Sequence, residues 1–274
     1  MNATTNTTTP ALAGTFSFRR LGLLLWRDLV NGYRGVLIAM AAVAGFVVLI
    51  SILTAAFGSP SAEFHLSFFT QILILGGFIF TSLAFGELHQ NGRSIGYLTL
   101  PGSMLEKFLS KLITTSVGYA AGLLFFYSLV ALASEGLNQL ILGHHHALFN
   151  PVGRDVLLLV AVYLVTQSVY LAGSVFFRKA AFLKTVLAWT VVSIGLGIAV
   201  AVMVRFVFWD YFTGLGTPRP EIRIFFDRLS QSRFEAAALP TLRGLWAAAR
   251  VLFWSVVAPV FWAVGYFRLR ETEV

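Results

Sequence analysis

Apolar and polar positions fall in long blocks along this chain. Six stretches are almost free of charge: Val36–Phe57, Leu66–Gly86, Leu112–Ala133, Val156–Phe177, Thr185–Val204 and Trp246–Phe267. Each holds about 20 residues, so each spans about 30 Å as a helix, the thickness of a bilayer core. Polar and apolar positions do not alternate within them, which excludes barrel strands. The pattern predicts an all-α integral membrane protein with six transmembrane helices, in a domain over 36–267. Ahead of the first block, Phe18, Leu21, Leu25 and Leu29 share one helical face, while Arg19, Arg20, Arg27 and Asn31 lie elsewhere and Trp26 adds an interfacial aromatic. This predicts an amphipathic helix over 18–35 lying on the membrane surface, bent at Gly32 and Gly35 before the first span. Residues 1–17 read as a Thr-rich disordered tail without a secretory signal, and 268–274 as a short polar tail.

Composition sharpens the class. With 57% hydrophobic and 12% charged residues among 274, the chain lacks the charge of a soluble domain of this size. The basic residues set the orientation. Arg19, Arg20, Arg27 and Arg34 gather on one side with Arg93, Lys107 and Lys111, Arg178, Lys179 and Lys184, and Arg268 and Arg270; the opposite connections 58–65 and 134–153 contain none. The positive-inside rule then places both termini in the cytosol. The segment 209–245 departs from the rule, with Arg219, Arg223, Arg228, Arg233 and Arg243. There Ile222, Phe225, Phe226 and Leu229 follow Pro218 and Pro220 at helical spacing, which predicts a short extracellular or re-entrant helix. Arg205 and Arg250 read as snorkelling residues at outer span ends, and Trp209, Tyr211 and Trp246 as an aromatic belt. A cytosolic basic face accounts for the net charge of +8 without nucleic acid as a partner.

Several chemistries lack their parts. The chain has no cysteine, and no HExxH, GxSxG or GxxxxGK[ST] motif; the dipeptide Gly-Lys never occurs. No catalytic residue or metal site is expected. His144, His145 and His146 read as a polar loop, because adjacent residues cannot all face one ion. Asn150-Pro151 predicts the start of the fourth helix. The span centres contain no Asp, Glu, Lys or Arg, so a proton- or sodium-driven mechanism lacks its usual groups. Gln167 is expected to hydrogen-bond a neighbouring helix, with contact to substrate as the other reading. Small-residue rows, Ser193-x-x-x-Gly197, Gly195-x-x-x-Ala199 and Gly118-x-x-x-Gly122, permit close helix approach. Ser193, Gly195, Gly197 and Gln167 are therefore the candidate residues for a dimer interface or substrate path, with packing inside one subunit as the alternative.

The connection 87–111 concentrates the remaining chemistry. Ser103-Met104-Leu105-Glu106 is a capping box, and Pro101 discourages helix before it, so a helix should start at Met104 and run through Lys107, Phe108 and Lys111 into the third span. Upstream, Ile95, Tyr97, Leu98 and Leu100 offer apolar contacts beside Arg93. Leu100-Pro101-Gly102-Ser103, followed by Leu105-Glu106-Lys107-Phe108-Leu109-Ser110-Lys111, resembles the "LP-x-S-x-x-EKF" segment of ABC transporter permeases of the type-2 exporter class. The amphipathic leading helix, six spans, cytosolic termini and long segment between spans five and six are similar as well.

The resemblance implies that 87–111 is a cytosolic coupling loop docking a separate ABC ATPase subunit, with Arg93, Ile95, Tyr97, Leu98, Pro101, Ser103, Glu106 and Lys107 as the docking and coupling residues. It also implies a second permease subunit, identical or not, in a bacterial inner membrane. The chain by itself would not be an enzyme and would bind no cofactor; ATP and Mg would sit on the partner. Glu87 and His89 match no role in that pattern. A non-transporting membrane anchor or assembly factor and an ion-coupled carrier are the competing expectations, and the cargo would be hydrophobic or amphipathic.

Overall fold

The computed structural model describes residues 16–58, 63–89, 96, 100, 102–143, 147–207, 244 and 246–271. The expectations for residues 1–15, the histidine tract 144–146, the 208–243 segment and the last three residues lie outside this set. Six helices form where the apolar blocks lie: α1 Phe18–Phe57, α2 Phe64–Leu88, α3 Met104–Leu142, α4 Arg154–Phe176, α5 Ala181–Val207 and α6 Trp246–Arg270. All are long and apolar enough to cross a membrane, and the described residues contain no strand. The protein is an all-α, six-span membrane protein.

The first helix overturns one expectation. It runs unbroken for 40 residues, about 60 Å, straight through Gly32 and Gly35. Nothing lies within 4 Å of a side chain built at either glycine, so no packing contact forces a bend there. The buried stripe of its leading part also differs from the expected face. Leu21 and Leu24 are buried, whereas Phe18 and Leu29 are exposed. The polar residues Arg20, Arg27 and Asp28 point inward with that stripe, for reasons given below.

α4 is the central helix, touched by α2, α5 and α6, while α1 lies along α3. Residues 167–175 of α4 form a continuous buried run. Its apolar residues surround it evenly, as befits a helix covered on all sides. One core joins Val47, Phe69, Leu73, Tyr127, Ala131 and Tyr163. A second, nearer the basic end, joins Phe85, Met104, Phe108, Leu171, Val175 and Leu269. Helices in lipid gain little from hiding apolar surface, so close approach and polar bonds must hold them. Both are present. A side chain at Gly77 would collide with Tyr163 Cζ at 2.8 Å and Tyr119 Cε1 at 2.9 Å, and one at Gly173 with Thr185. α2 and α3 each contain a π turn, Ile72–Gly76 and Thr114–Gly118. Such turns displace backbone carbonyls from the regular ladder. Here Tyr119 OH donates to the Ile72 carbonyl at 2.8 Å, and Tyr163 OH to that of Thr115 at 2.6 Å.

Three further expectations change. α3 continues to Leu142, nine residues past the predicted end at Ala133. It stops where Gly143 adopts φ +72° and its N–H bonds the Gln139 carbonyl, a left-handed cap that suits glycine. That extension carries Glu135 into the bundle, 3% exposed and paired with His65, past the charge-free centre of the span read from the sequence. α4 starts at Arg154, three residues after Pro151; Asn150 instead forms a turn in which its Oδ1 accepts the Val152 N–H. Gln167 is fully buried, yet neither amide atom has a partner among the described residues, contrary to the expected interhelical bond.

Candidate coupling junction

Ser103 has extended backbone and its Oγ accepts the Glu106 N–H at 3.3 Å; Glu106 Oε2 accepts the Ser103 N–H at 2.9 Å. The capping box expected from the sequence is therefore formed, and it starts α3 at Met104. The carboxylate does more than cap its own helix. Glu106 Oε1 also accepts the backbone N–H of Ser17, the residue preceding α1, at 2.6 Å. One carboxylate thus closes the N-termini of two helices, where unpaired N–H groups and the helix dipoles favour a negative charge. Arg20 completes the site. Its Nη2 lies 2.9 Å from Oε1, and its Nε lies 3.2 and 3.1 Å from Oε1 and Oε2. Glu106 is fully buried, while Arg20 stays 28% exposed.

Glu106 sits in the polar extension of α3 that precedes its apolar span. Burial pushes its carboxyl pKa up. The Arg20 guanidinium and the Ser103 and Ser17 N–H groups outweigh this and hold it below the usual carboxylate range. The junction is built around an ionised side chain.

Two more ion pairs extend the seam between α1 and its neighbours. Asp28 accepts from Lys111 Nζ at 2.9 Å and from Ser110 Oγ at 3.1 Å, both little more than one turn along α3 from Glu106. Arg27 reaches Glu87 at 3.2 Å, in the tight turn Gly86–His89 that ends α2. Glu87, for which the sequence offered no role, is thereby an anchor for α1. Lys107 is 2% exposed and lines the same narrow crevice as Leu24, Arg27, Asp28, Ser110 and Lys111.

These positions revise the candidate docking set. Glu106 and Lys107 are buried within the chain, so in this conformation they cannot present their side chains to another protein. Glu106 instead joins the starts of α1 and α3. Ser103 is half-buried at the cap. Arg93, Ile95, Tyr97, Leu98 and Pro101 lie outside the described residues. The second candidate group is split. Ser193, Gly195 and Gly197 are exposed on α5, and nothing approaches either glycine within 4 Å, whereas Gln167 is enclosed in α4. An apolar cleft between α2, α4, α5 and α6 is lined by Phe78, Val169, Tyr170, Trp189, Phe253 and Val257.

Sequence reasoning missed Arg20, Asp28 and Glu87 as site residues because their partners lie 60 or more positions away. The available signal was weak: acidic residues are rare here, and Asp28 stands alone among the arginines of the leading helix. No family model matches the chain, and neither a curated protein nor a solved structure matches it.

Proposed function

We propose that this chain is the membrane-spanning permease subunit of an ATP-driven ABC exporter, docking a separate ATPase subunit through the connection between α2 and α3. The observation that supports the reading most is the double cap at Glu106. A docking loop can move a membrane helix only if its end is fixed to that helix. Here the return of the loop is fixed to α3 through Ser103 and to α1 through Ser17 and Arg20. A push on the loop would move two helices together. The exposed small-residue face of α5 is the proposed contact with a second permease subunit, and the apolar cleft at Tyr170 and Trp189 suits a hydrophobic or amphipathic cargo. ATP and Mg belong to the partner, and the setting is a bacterial inner membrane.

A second reading, an ion-coupled carrier, draws on the buried His65–Glu135 pair, since membrane carriers use such groups. Affinity purification of the tagged chain from its native membrane separates the two. The first reading expects an ATPase to co-purify and to be lost on Tyr97→Ala plus Leu98→Ala, while the chain still inserts and folds. Transport by the chain alone in liposomes, without nucleotide, refutes it in favour of the carrier. Co-purification of no ATPase together with no transport leaves the membrane-anchor reading.

A further inference from the structure

At the end of the bundle opposite Glu106, α1, α2 and α3 meet around a buried polar cluster. His65 Nε2 lies 2.8 Å from Glu135 Oε1, and His65 Nδ1 lies 3.3 Å from Tyr127 OH. Ser51 of α1 donates to Glu135 Oε1 at 3.0 Å and accepts from Asn138 Nδ2 at 2.8 Å. Asn138 Nδ2 also lies 3.3 Å from Glu135 Oε1, and Ser134 Oγ lies 3.4 Å from it. All six side chains are at most 3% exposed. His65, Tyr127 and Glu135 are the titratable groups in the cluster. Ser51 is its contribution from α1, which has no ionisable residue beyond Arg34. Glu63, Arg154 and Asp155, the nearby ionisable residues of α2 and α4, are exposed.

The hydrogens can be counted. Tyr127 has one hydroxyl hydrogen and donates it to the His65 carbonyl at 3.0 Å. Its oxygen is then left to accept from His65 Nδ1. On the other side of the ring, Glu135 Oε1 gathers donors from Ser51 and Asn138, while the Ser134 hydroxyl has the Ala131 carbonyl nearer at 3.1 Å; this donor set suits a carboxylate accepting from Nε2. This arrangement suits hydrogen on both ring nitrogens, an imidazolium against a carboxylate that is neutral as a unit. Removing that proton leaves a carboxylate enclosed among three helices without its counter-charge, which destabilises the packed arrangement.

We propose that His65 and Glu135 form a proton-binding site, and that the bound proton fastens α1, α2 and α3 at this end of the bundle. The sign follows directly. The fastening is present at low pH and is lost as pH rises and the proton leaves. The proposal goes beyond the transport reading and needs no ATPase.

The test uses the full chain in lipid nanodiscs, in sodium-free buffer, with ¹⁵N-labelled histidine. The His65 ring signal is identified by its absence in His65→Gln. Two hydrogen-bearing ring nitrogens at pH 7 and above are expected, with proton affinity at least tenfold greater than in Glu135→Gln. Thermal stability should fall as pH rises from 7 to 10 in the parent and stay flat in Glu135→Gln. A neutral, single-tautomer His65 at pH 7 overturns the proposal, as does an equal pH slope in Glu135→Gln or a midpoint that moves with added sodium. If Glu135→Gln does not fold, the ring signal of the unmodified chain alone decides.

Discussion

Replacing Glu106 by Gln keeps the shape of the junction and removes its charge. The carboxylate now accepts from Ser17 N, Ser103 N and two nitrogens of Arg20. The amide retains one acceptor oxygen and turns an NH₂ group toward donors that cannot accept it. At least two charge-assisted bonds are lost, each worth about 1.5–3 kcal/mol. Breaking a buried ion pair by removing one member costs about 3–5 kcal/mol. Arg20, at 28% exposed, can turn to water and recover part of this. The expected loss is therefore about 2–4 kcal/mol, localised where the start of α1 lies on α3. Because the chain has no cysteine, Leu24→Cys gives a single thiol, at a position now 8% exposed. Its labelling rate at low reagent concentration follows the fraction of molecules in which α1 has lifted away. At about 1.4 kcal/mol per tenfold, Glu106→Gln should speed labelling by about 30- to 700-fold. Arg20→Ala should speed it less. The double variant should fall short of the sum of the two, because both remove the same bonds. Labelling within about threefold of the parent would refute the assignment of Glu106 as the fastening of α1.

The same thiol reports two further effects. Since the folded-state pKa of Glu106 lies below its free value, its contribution is complete at neutral pH and is lost as pH falls below about 4.3 and through the folded value. Labelling with a disulfide reagent that reacts in acid should therefore rise at low pH in the parent, and Glu106→Gln should abolish that rise. Away from the junction, Gly77→Ala places a methyl against the Tyr163 and Tyr119 rings and should destabilise the protein by about 1–3 kcal/mol in detergent unfolding. Gly122→Ala, which meets open space, should leave stability unchanged or slightly raised.

What the sequence made legible follows the range of each interaction. The capping box spans three residues, so Ser103 and Glu106 announce it, and the structure forms it as read. The spans are legible because hydrophobicity is a property of each block alone. The interior was misread where the block signal ended too soon. Ser134-Glu135 interrupts the apolar run at Ala133, yet the helical stop is Gly143, whose positive φ closes α3 two turns later. A reading keyed to the glycine would have put Glu135 and Asn138, three residues apart, on one face of the helix. The face of α1 failed for a different reason. Phe18 and Leu29 are more apolar than Arg20 or Asp28, but the bonds that select the buried side run to residues 82–89 positions distant. No local pattern encodes them.

The two acidic sites are linked by one geometrical fact. Glu106 and Glu135 lie 29 residues apart on α3, about 44 Å along a helix, and their partners on α1, Arg20 and Ser51, lie 31 residues apart. The helices run parallel over this length, each spanning the distance in about eight turns. α1 is thus tied to α3 at both ends, while residues 29–39 between the ties are exposed on every side. A rod fixed at two distant points cannot tilt independently of its neighbour. Any displacement of the junction at Glu106 must shift α1 and α3 as a pair, and it reaches the His65 cluster unless the fastening there is released first.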